Sequence, residues 1–157
     1  MDSLERTVLV MRWAAVVFLA LGFSQTSRAD NCSGYAAEVI KSYEQIELSQ
    51  GNVMSAFSGY DIVTSDDEPN SQGELGDCYG TWLVTSDGTS RGGGFCAFKD
   101  KDGDTEYVQW EANAQAGTWK DVGGTGKWAG KHNAGWTKVV ARDDKRTLLR
   151  WGGTCEQ

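Results

Sequence analysis

Apolar and polar residues alternate along most of this chain in short runs, which turn-forming residues interrupt at intervals of roughly ten residues. Such spacing is typical of antiparallel strands in a β-sandwich or a β-barrel. Together with an N-terminal segment and a short strand around Trp119, the pattern predicts an all-β antiparallel barrel of about eight strands. The other predicted strands are residues 52–64, 77–85, 93–99, 105–112, 136–142 and 147–151.

The segment 35–48 fits two patterns. Ala36, Val39, Tyr43 and Ile46 have the spacing that lines one face of a helix, whereas the rest of the chain has strand character. The segment is therefore predicted to be a strand with a helical start.

The dipeptide Asp87-Gly88 predicts a two-residue hairpin turn, because glycine tolerates the positive φ of a type I′ turn. Across such a turn Cys78 lies within one residue of facing Cys96, and a bulge in residues 91–94 would absorb the difference. Facing residues on adjacent strands are close enough for a disulfide. A Cys78–Cys96 disulfide is therefore predicted, which leaves Cys32 to pair with Cys155 and to join the two ends of the barrel.

The N-terminal residues 1–29 have the character of a signal peptide. Arg12 precedes the apolar run 13–23, and small residues at Ser27 and Ala29 predict cleavage after Ala29. The apolar run is shorter than the ~20 residues that span a bilayer, so a retained anchor is the less favoured alternative.

Translation from either Met1 or Met11 would give such a leader. The remaining residues, 30–157, are predicted to form a single periplasmic or secreted β-barrel domain without a stable membrane anchor. All four cysteines lie in this part, and an even number in an oxidising compartment predicts structural disulfides.

The net charge of −7, with 22 acidic against 15 basic residues, disfavours two kinds of binding partner. An acidic chain without a cluster of lysine and arginine is a poor partner for nucleic acid or for an anionic membrane. The sequence predicts no cofactor, and it leaves the oligomeric state open.

Residues 100–104 (DKDGD) resemble part of a calcium loop. An EF-hand loop counted from Asp100 requires Gly at the position of Thr105 and Glu at that of Glu111, so only one of the two positions matches. An acidic hairpin turn is therefore expected, with a loose surface Ca²⁺ site as the alternative.

The single histidine, His132, lies in a predicted loop. No cysteine spacing typical of zinc accompanies it, and no nucleophile motif is present. No metal ligand and no catalytic residue is predicted.

Tryptophan is the residue type most suggestive of function. About one indole falls on most predicted strands, and these side chains either fill the core or line a pocket for an apolar or cyclic ligand. The candidate ligand contacts are on central strands, although the face of each residue depends on strand register. They are Trp82, Trp110, Tyr107 and Trp136.

A series of motifs runs through about residues 76–153. They are Gly76-x-Cys78-x-Gly80, Gly94-Phe95-Cys96, Asp100-x-Asp102-Gly103-Asp104, Trp110 and 123–130 (GGTGKWAG), the last being the most specific. In these motifs the chain resembles small secreted bacterial proteins of unknown function that are related to the allene oxide cyclase-like and dirigent-like barrel group.

This resemblance implies an eight-stranded barrel, lipocalin-like or allene oxide cyclase-like, with a central cavity for a small hydrophobic or phenolic molecule. Cyclases of the group act mainly by shaping a reactive substrate, but none of their catalytic residues matches a position in this chain. The tetrapeptide at 125–128 is also similar to one in avidin, where it opens the first strand, so biotin binding is not expected.

Three functions follow as hypotheses. The leading one is an exported barrel that binds a small hydrophobic or aromatic ligand without catalysis. The alternatives are an enzyme of the cyclase or isomerase type that acts by positioning its substrate, and a structural or host-interaction protein with a filled barrel. The barrel interior distinguishes them, because an apolar cavity favours binding, buried charge favours catalysis and a packed interior favours the third.

Overall fold

The structure, a computed structural model, describes residues 29–66 and 73–156, so that the predicted leader lies outside the described residues apart from Ala29. The signal peptide, its cleavage site and the start codon therefore stay predictions. Eight strands fill most of the described chain. They are β1 (Ala29–Glu47), β2 (Val53–Ser65), β3 (Glu74–Val84), β4 (Ser90–Lys99), β5 (Thr105–Asn113), β6 (Ala116–Gly124), β7 (Ala134–Arg142) and β8 (Arg146–Glu156).

These strands form a closed antiparallel barrel, as predicted. Each strand pairs with the next along the chain, and β8 pairs with β1 to complete the ring. Closure removes the free strand edges that would otherwise expose unpaired backbone groups. Of the residues described, none forms a helix long and apolar enough to cross a membrane.

The first strand corrects the prediction of a helical start. β1 is extended throughout and pairs with β2 on one side and with β8 on the other. Only Ala36 of the four helically spaced residues is buried, whereas Val39, Tyr43 and Ile46 are exposed. Pairing with two neighbouring strands therefore overrides the local helical spacing, and a register shift between Ile40 and Ser42 accommodates the extra residue.

The hairpin between β3 and β4 has a different turn from the predicted one. Thr85 N–H donates to the Thr89 carbonyl at 2.9 Å, so the loop contains the three residues 86–88, with Gly88 at φ +83°. A three-residue loop that ends on a left-handed glycine shifts the register by one. Cys78 consequently faces Cys96 directly, and the predicted bulge at residues 91–94 is absent because the pairing of the two strands has no shift.

Both predicted disulfides are confirmed. Cys78–Cys96 links β3 to β4, with Cα atoms 4.1 Å apart, and Cys32–Cys155 links β1 to β8, with Cα atoms 5.8 Å apart. The second bridge crosses the seam at which the barrel closes. Two structural disulfides fit a protein of an extracellular or periplasmic compartment.

All of the described buried apolar residues except Phe57 form two small clusters inside the barrel rather than a continuous core. One contains Cys78, Cys96, Phe98 and Val108, and the other contains Cys32, Ala36 and Trp151. Val63 and Trp119 pack against both clusters. The rest of the interior is available to a site.

Candidate functional site

The barrel encloses a cavity of about 610 Å³. A volume of this size lies in the range of sites for small molecules, ~300–1,000 Å³. The cavity is bounded by aromatic, aliphatic and acidic side chains that point inward at every second position of their strands. The aromatic members are Phe57, Trp82, Phe98, Trp110, Trp119, Trp128 and Trp151.

Trp110 on β5 is the centre of an aromatic wall. Its ring lies 5.8 Å from that of Phe57 and 6.1 Å from that of Trp82, measured between centroids. On another part of the lining, Trp119 meets Trp151 edge to face at 6.1 Å. These separations are those of favourable aromatic pairs, so the rings offer fixed apolar surfaces to a ligand.

Glycines opposite the indoles make room for this wall. A Cβ atom at Gly80 would lie 2.3 Å from Cζ2 of Trp110 and 2.9 Å from Cε1 of Phe57. At Gly92 a Cβ atom would lie 2.5 Å from the ring of Trp82. The glycines on β3 and β4 thus leave the space that the rings of Phe57, Trp82 and Trp110 occupy.

The four predicted ligand contacts divide into two pairs. Trp82 and Trp110 line the cavity. Tyr107 and Trp136 are 44% and 47% exposed and lie on the outer face, Tyr107 because its inward neighbours on β5 are Glu106 and Val108. Strand alternation therefore places Tyr107 and Trp136 outside the cavity for which they were predicted.

Asp61 on β2 is a buried acid in the middle of the cavity wall. Its carboxylate lies within 4.8 Å of the sulfur atoms of Cys78 and Cys96, and its Oδ1 has no hydrogen-bond partner among the described residues. Burial, followed by the charge of Glu38 on the adjacent strand, raises the pKa of Asp61 to about 7. Burial also raises the pKa of Glu38, against the opposing effects of Arg142 and Thr147.

A second acidic group lies near the end of the barrel at which β5 begins. Glu106 and Asp121 are both buried, and their carboxyl groups are hydrogen-bonded to each other. Asn133 holds this pair, since its backbone N–H donates to Asp121 at 3.1 Å and its side-chain amide donates to Glu106 at 3.4 Å. Burial and the neighbouring carboxyl raise the pKa of Glu106, and burial raises that of Asp121, so the two acids hold a proton between them near neutral pH.

The acidic turn at residues 100–104 anchors a short segment over this end of the barrel. This segment, which we call the cap, is the 3₁₀ turn Gly126–Trp128 within the sequence stretch GGTGKWAG. Asp100 is buried and accepts hydrogen bonds from Trp128 Nε1 at 3.1 Å and from the backbone of Asp102 and Asp104, and its carboxylate pairs with Lys127 at 2.8 Å.

Burial alone would raise the pKa of Asp100, but Lys127 and the other donors outweigh it and lower that pKa to about 2. Gly126 is required in the cap, because its φ is +50° and a Cβ atom would collide with the Asp104 carboxylate. The acidic turn at residues 100–104 and the stretch GGTGKWAG at residues 123–130 therefore form one structural unit.

His132 lies in the loop before β7, as predicted, where its backbone N–H donates to Glu156 at 3.2 Å. Within the described parts of the chain, one cluster of potential metal ligands appears, formed by Asp61, Cys78 and Cys96. Its sulfur atoms are bonded to each other, so they cannot supply the thiolates that a metal would require.

Comparison with solved structures confirms the predicted resemblance to the dirigent-like barrel group at the level of the fold. A pterocarpan synthase dirigent protein is similar with a TM-score of 0.54 and 14% identity, over 83% of this chain and 92% of that one. An enzyme from Penicillium herquei gives 0.60 and 15%, over 83% and 98%. A protein of unknown function from the DUF3224 family of Shewanella oneidensis gives 0.56 and 8%, over 83% and 98%.

The sequence matches no protein-family model and no curated protein. At these identities the structural likeness establishes the barrel fold alone. The function has to be inferred from the cavity of this chain.

Sequence reasoning missed the buried acids. Asp61 and Glu106 occupy inward positions, two residues from Val63 and from Val108, on strands whose other inward residues are largely apolar or small. Such an acid could therefore have been recognised from the sequence once it was known which alternate residues of each strand face inward. The pairing of Glu106 with Asp121 depends on the register of β5 and β6, which the sequence does not reveal.

Proposed function

We propose that this protein is an exported barrel that binds one small hydrophobic or aromatic molecule in its cavity. The observation that carries the proposal is the volume of about 610 Å³ bounded by the aromatic wall around Trp110. A filled barrel, the structural alternative, is disfavoured by the same cavity. The two disulfides support export, since such bonds persist in oxidising compartments.

Two buried polar atoms support a ligand that is mainly apolar but carries a polar group. Asp61 Oδ1 and Trp119 Nε1 have no hydrogen-bond partner among the residues described, and both residues line the cavity. A buried polar group without a partner is costly, about 1–3 kcal/mol. A ligand that bonded to either atom would recover part of that energy and would be oriented by it.

Tryptophan fluorescence tests the proposal. Titration with a panel of naphthols, flavonoids and terpenoids should quench the wild-type emission saturably, and Trp110→Phe or Trp82→Phe should reduce the quenching while the protein stays folded. Trp136→Phe is the matched control, because this indole lies on the outer face. Quenching that is unchanged in both cavity variants, or absent in the wild type, would contradict the proposal.

A cyclase or isomerase is the second candidate, and the hydrogen-bonded acids Glu106 and Asp121 favour it. A carboxyl group that stays protonated near neutral pH can donate a proton to a bound molecule, and its partner can accept one. Such a reaction converts the ligand into an isomer of equal mass. Chromatography of a ligand before and after incubation measures it: Glu106→Gln should retain binding and abolish conversion, whereas a ligand recovered unchanged from the wild type argues for a binding barrel.

Export itself is testable at the N-terminus. Cleavage after Ala29 predicts that protein recovered from the periplasm or the medium begins at Asp30 or within a few residues of it. Recovery of exported protein that begins at Met1 or Met11 would contradict the predicted leader.

A further inference from the structure

The acids of the cavity are more numerous than its bases. Among the described lining residues, six carry carboxyl groups (Glu38, Asp61, Glu74, Glu106, Glu111 and Glu156) and three are basic. Each base is engaged with the protein, since Lys127 pairs with Asp100 at 2.8 Å, Lys131 donates to the Glu156 carbonyl at 2.8 Å and Arg142 donates to Thr147 at 3.3 Å. Glu106 shares a proton with Asp121 near neutral pH, which leaves five other acids against three bases in the lining, an excess that favours a cation.

A carboxyl group and two indole groups border the same apolar cluster in this lining. The Asp61 carboxylate lies within 4.8 Å of the sulfurs of Cys78 and Cys96, and Trp110 and Trp119 pack against the cluster that contains the same disulfide. Asp61 is only 8% exposed, and its Oδ1 has no hydrogen-bond partner among the described residues. Aromatic faces and a desolvated carboxylate are the two groups that attract an organic ammonium ion.

We infer that the ligand of the cavity is an aromatic or alicyclic molecule with a cationic nitrogen, which Asp61 and Glu38 bind while the rings around Trp110 hold its apolar part. Glu38 takes part because it faces Asp61 across the pairing of β1 with β2. This inference rests on the proposed binding function and narrows it to one class of ligand.

The burial that disfavours ionisation of Asp61 gives the binding a pH dependence. Asp61, with a pKa of about 7, is mostly protonated at pH 5 and must release that proton to pair with a cation. The groups that face it are Glu38 on β1, which titrates in the same direction, Glu74 at the neighbouring inward position of β3, and the disulfide of β3 and β4, which does not titrate. Arg142 on β7 acts on Glu38 by charge attraction. The affinity for a permanent cation should therefore rise between pH 5 and pH 8.

Two isosteric probes test the inference by equilibrium dialysis, (2-naphthylmethyl)trimethylammonium and its neutral analogue 2-neopentylnaphthalene. At pH 8 the cation should bind at least about tenfold more tightly than the neutral probe, in line with a desolvated cation–π contact and an added ion pair. The cation should also bind about tenfold more weakly at pH 5 than at pH 8, while the neutral probe should change little.

Asp61→Asn should remove the preference for the cation and leave binding of the neutral probe, and Asp77→Asn, at an exposed position on β3, is the matched control. Equal binding of the two probes at pH 8, or tighter binding of the neutral one, overturns the inference and leaves the binding function standing. Failure of both probes to bind contradicts the binding function as well. Because these comparisons use the wild type, they hold even where Asp61→Asn fails to fold.

Discussion

At the scale of single residues, glycines shape the cavity as much as large side chains do. Gly80 faces the rings of Trp110 and Phe57 at distances that leave no space for a Cβ atom. Asp61 shows the converse effect, since a carboxyl group stands at an inward position where a strand residue is usually apolar. Each of these residues has a measurable consequence for stability.

Gly80→Ala should destabilise the barrel by about 1–3 kcal/mol, because the added methyl group would force the Trp110 and Phe57 rings to move. Gly93→Ala is the control, since its Cβ atom would meet nothing closer than the Trp110 carbonyl at 3.2 Å. Urea unfolding followed by tryptophan fluorescence measures both. Equal stabilities of the two variants would show that the rings of Trp110 and Phe57 can move to accommodate the methyl group without a measurable loss of stability.

Asp61→Asn should change the stability in a pH-dependent manner. The folded protein retains a proton on Asp61 up to a pKa of about 7, whereas the unfolded chain releases it near 3.8. Ionisation of Asp61 therefore lowers the stability of the wild type as the pH rises from about 4 to 8, by up to about 4 kcal/mol. The Asp61→Asn variant has no carboxyl group at this position and should not lose stability in this way.

The stability of Asp61→Asn, measured as its free energy of unfolding minus that of the wild type, should thus be larger at pH 8 than at pH 4. The same comparison for the exposed control Asp77→Asn should give no difference between the two pH values. A difference for Asp61→Asn of zero, or of the opposite sign, would show that its carboxyl is solvated in the folded protein.

At the scale of elements, the cap and the β4–β5 turn act as one unit through Asp100. The carboxylate of Asp100 neutralises Lys127 and accepts the indole N–H of Trp128, so the turn holds the 3₁₀ segment over the end of the barrel. Removal of one member of a buried, hydrogen-bonded ion pair leaves its partners without compensation.

Because Lys127 is partly exposed, Asp100→Asn should cost about 1.5–3 kcal/mol, the contribution of hydrogen bonds to a charged group. Asp102→Asn in the same turn should cost less than about 1 kcal/mol, because its ion pair with Lys101 is exposed. Thermal unfolding of both variants at pH 7 measures the difference. Similar losses in the two variants would mean that Asp100 does not anchor the cap.

At the scale of the whole molecule, the Cys32–Cys155 bridge fastens the seam between the first and the last strand. It closes a loop of 123 residues, whereas Cys78–Cys96 closes one of 18. In the chain-entropy model the longer loop contributes about 5 kcal/mol and the shorter about 3 kcal/mol. Double alanine variants of each bridge, compared by denaturant unfolding, should show the larger loss for the seam; a larger loss for Cys78–Cys96 would contradict this order.

The sequence predicted the barrel, seven of its strands and both disulfides. These features depend on the alternation of apolar and polar residues, on turn residues, and on the number and positions of the cysteines. It did not settle β1, since Ala36, Val39, Tyr43 and Ile46 have helical spacing and only pairing with β2 and β8 makes the segment extended. It identified Trp82 and Trp110 as candidates but also named Tyr107 and Trp136, which face outward. One residue of register decides such a face.

The central claim is that the barrel cavity holds a small molecule, and native mass spectrometry of the protein from its native host tests it most directly. The wild type should carry one small organic molecule per chain. Val139→Trp, which introduces an indole into the cavity lining, should lose this molecule, and Val140→Trp, at the exposed neighbouring position, should retain it. A wild type without any bound molecule, or a Val139→Trp variant that retains the full complement, would contradict the account.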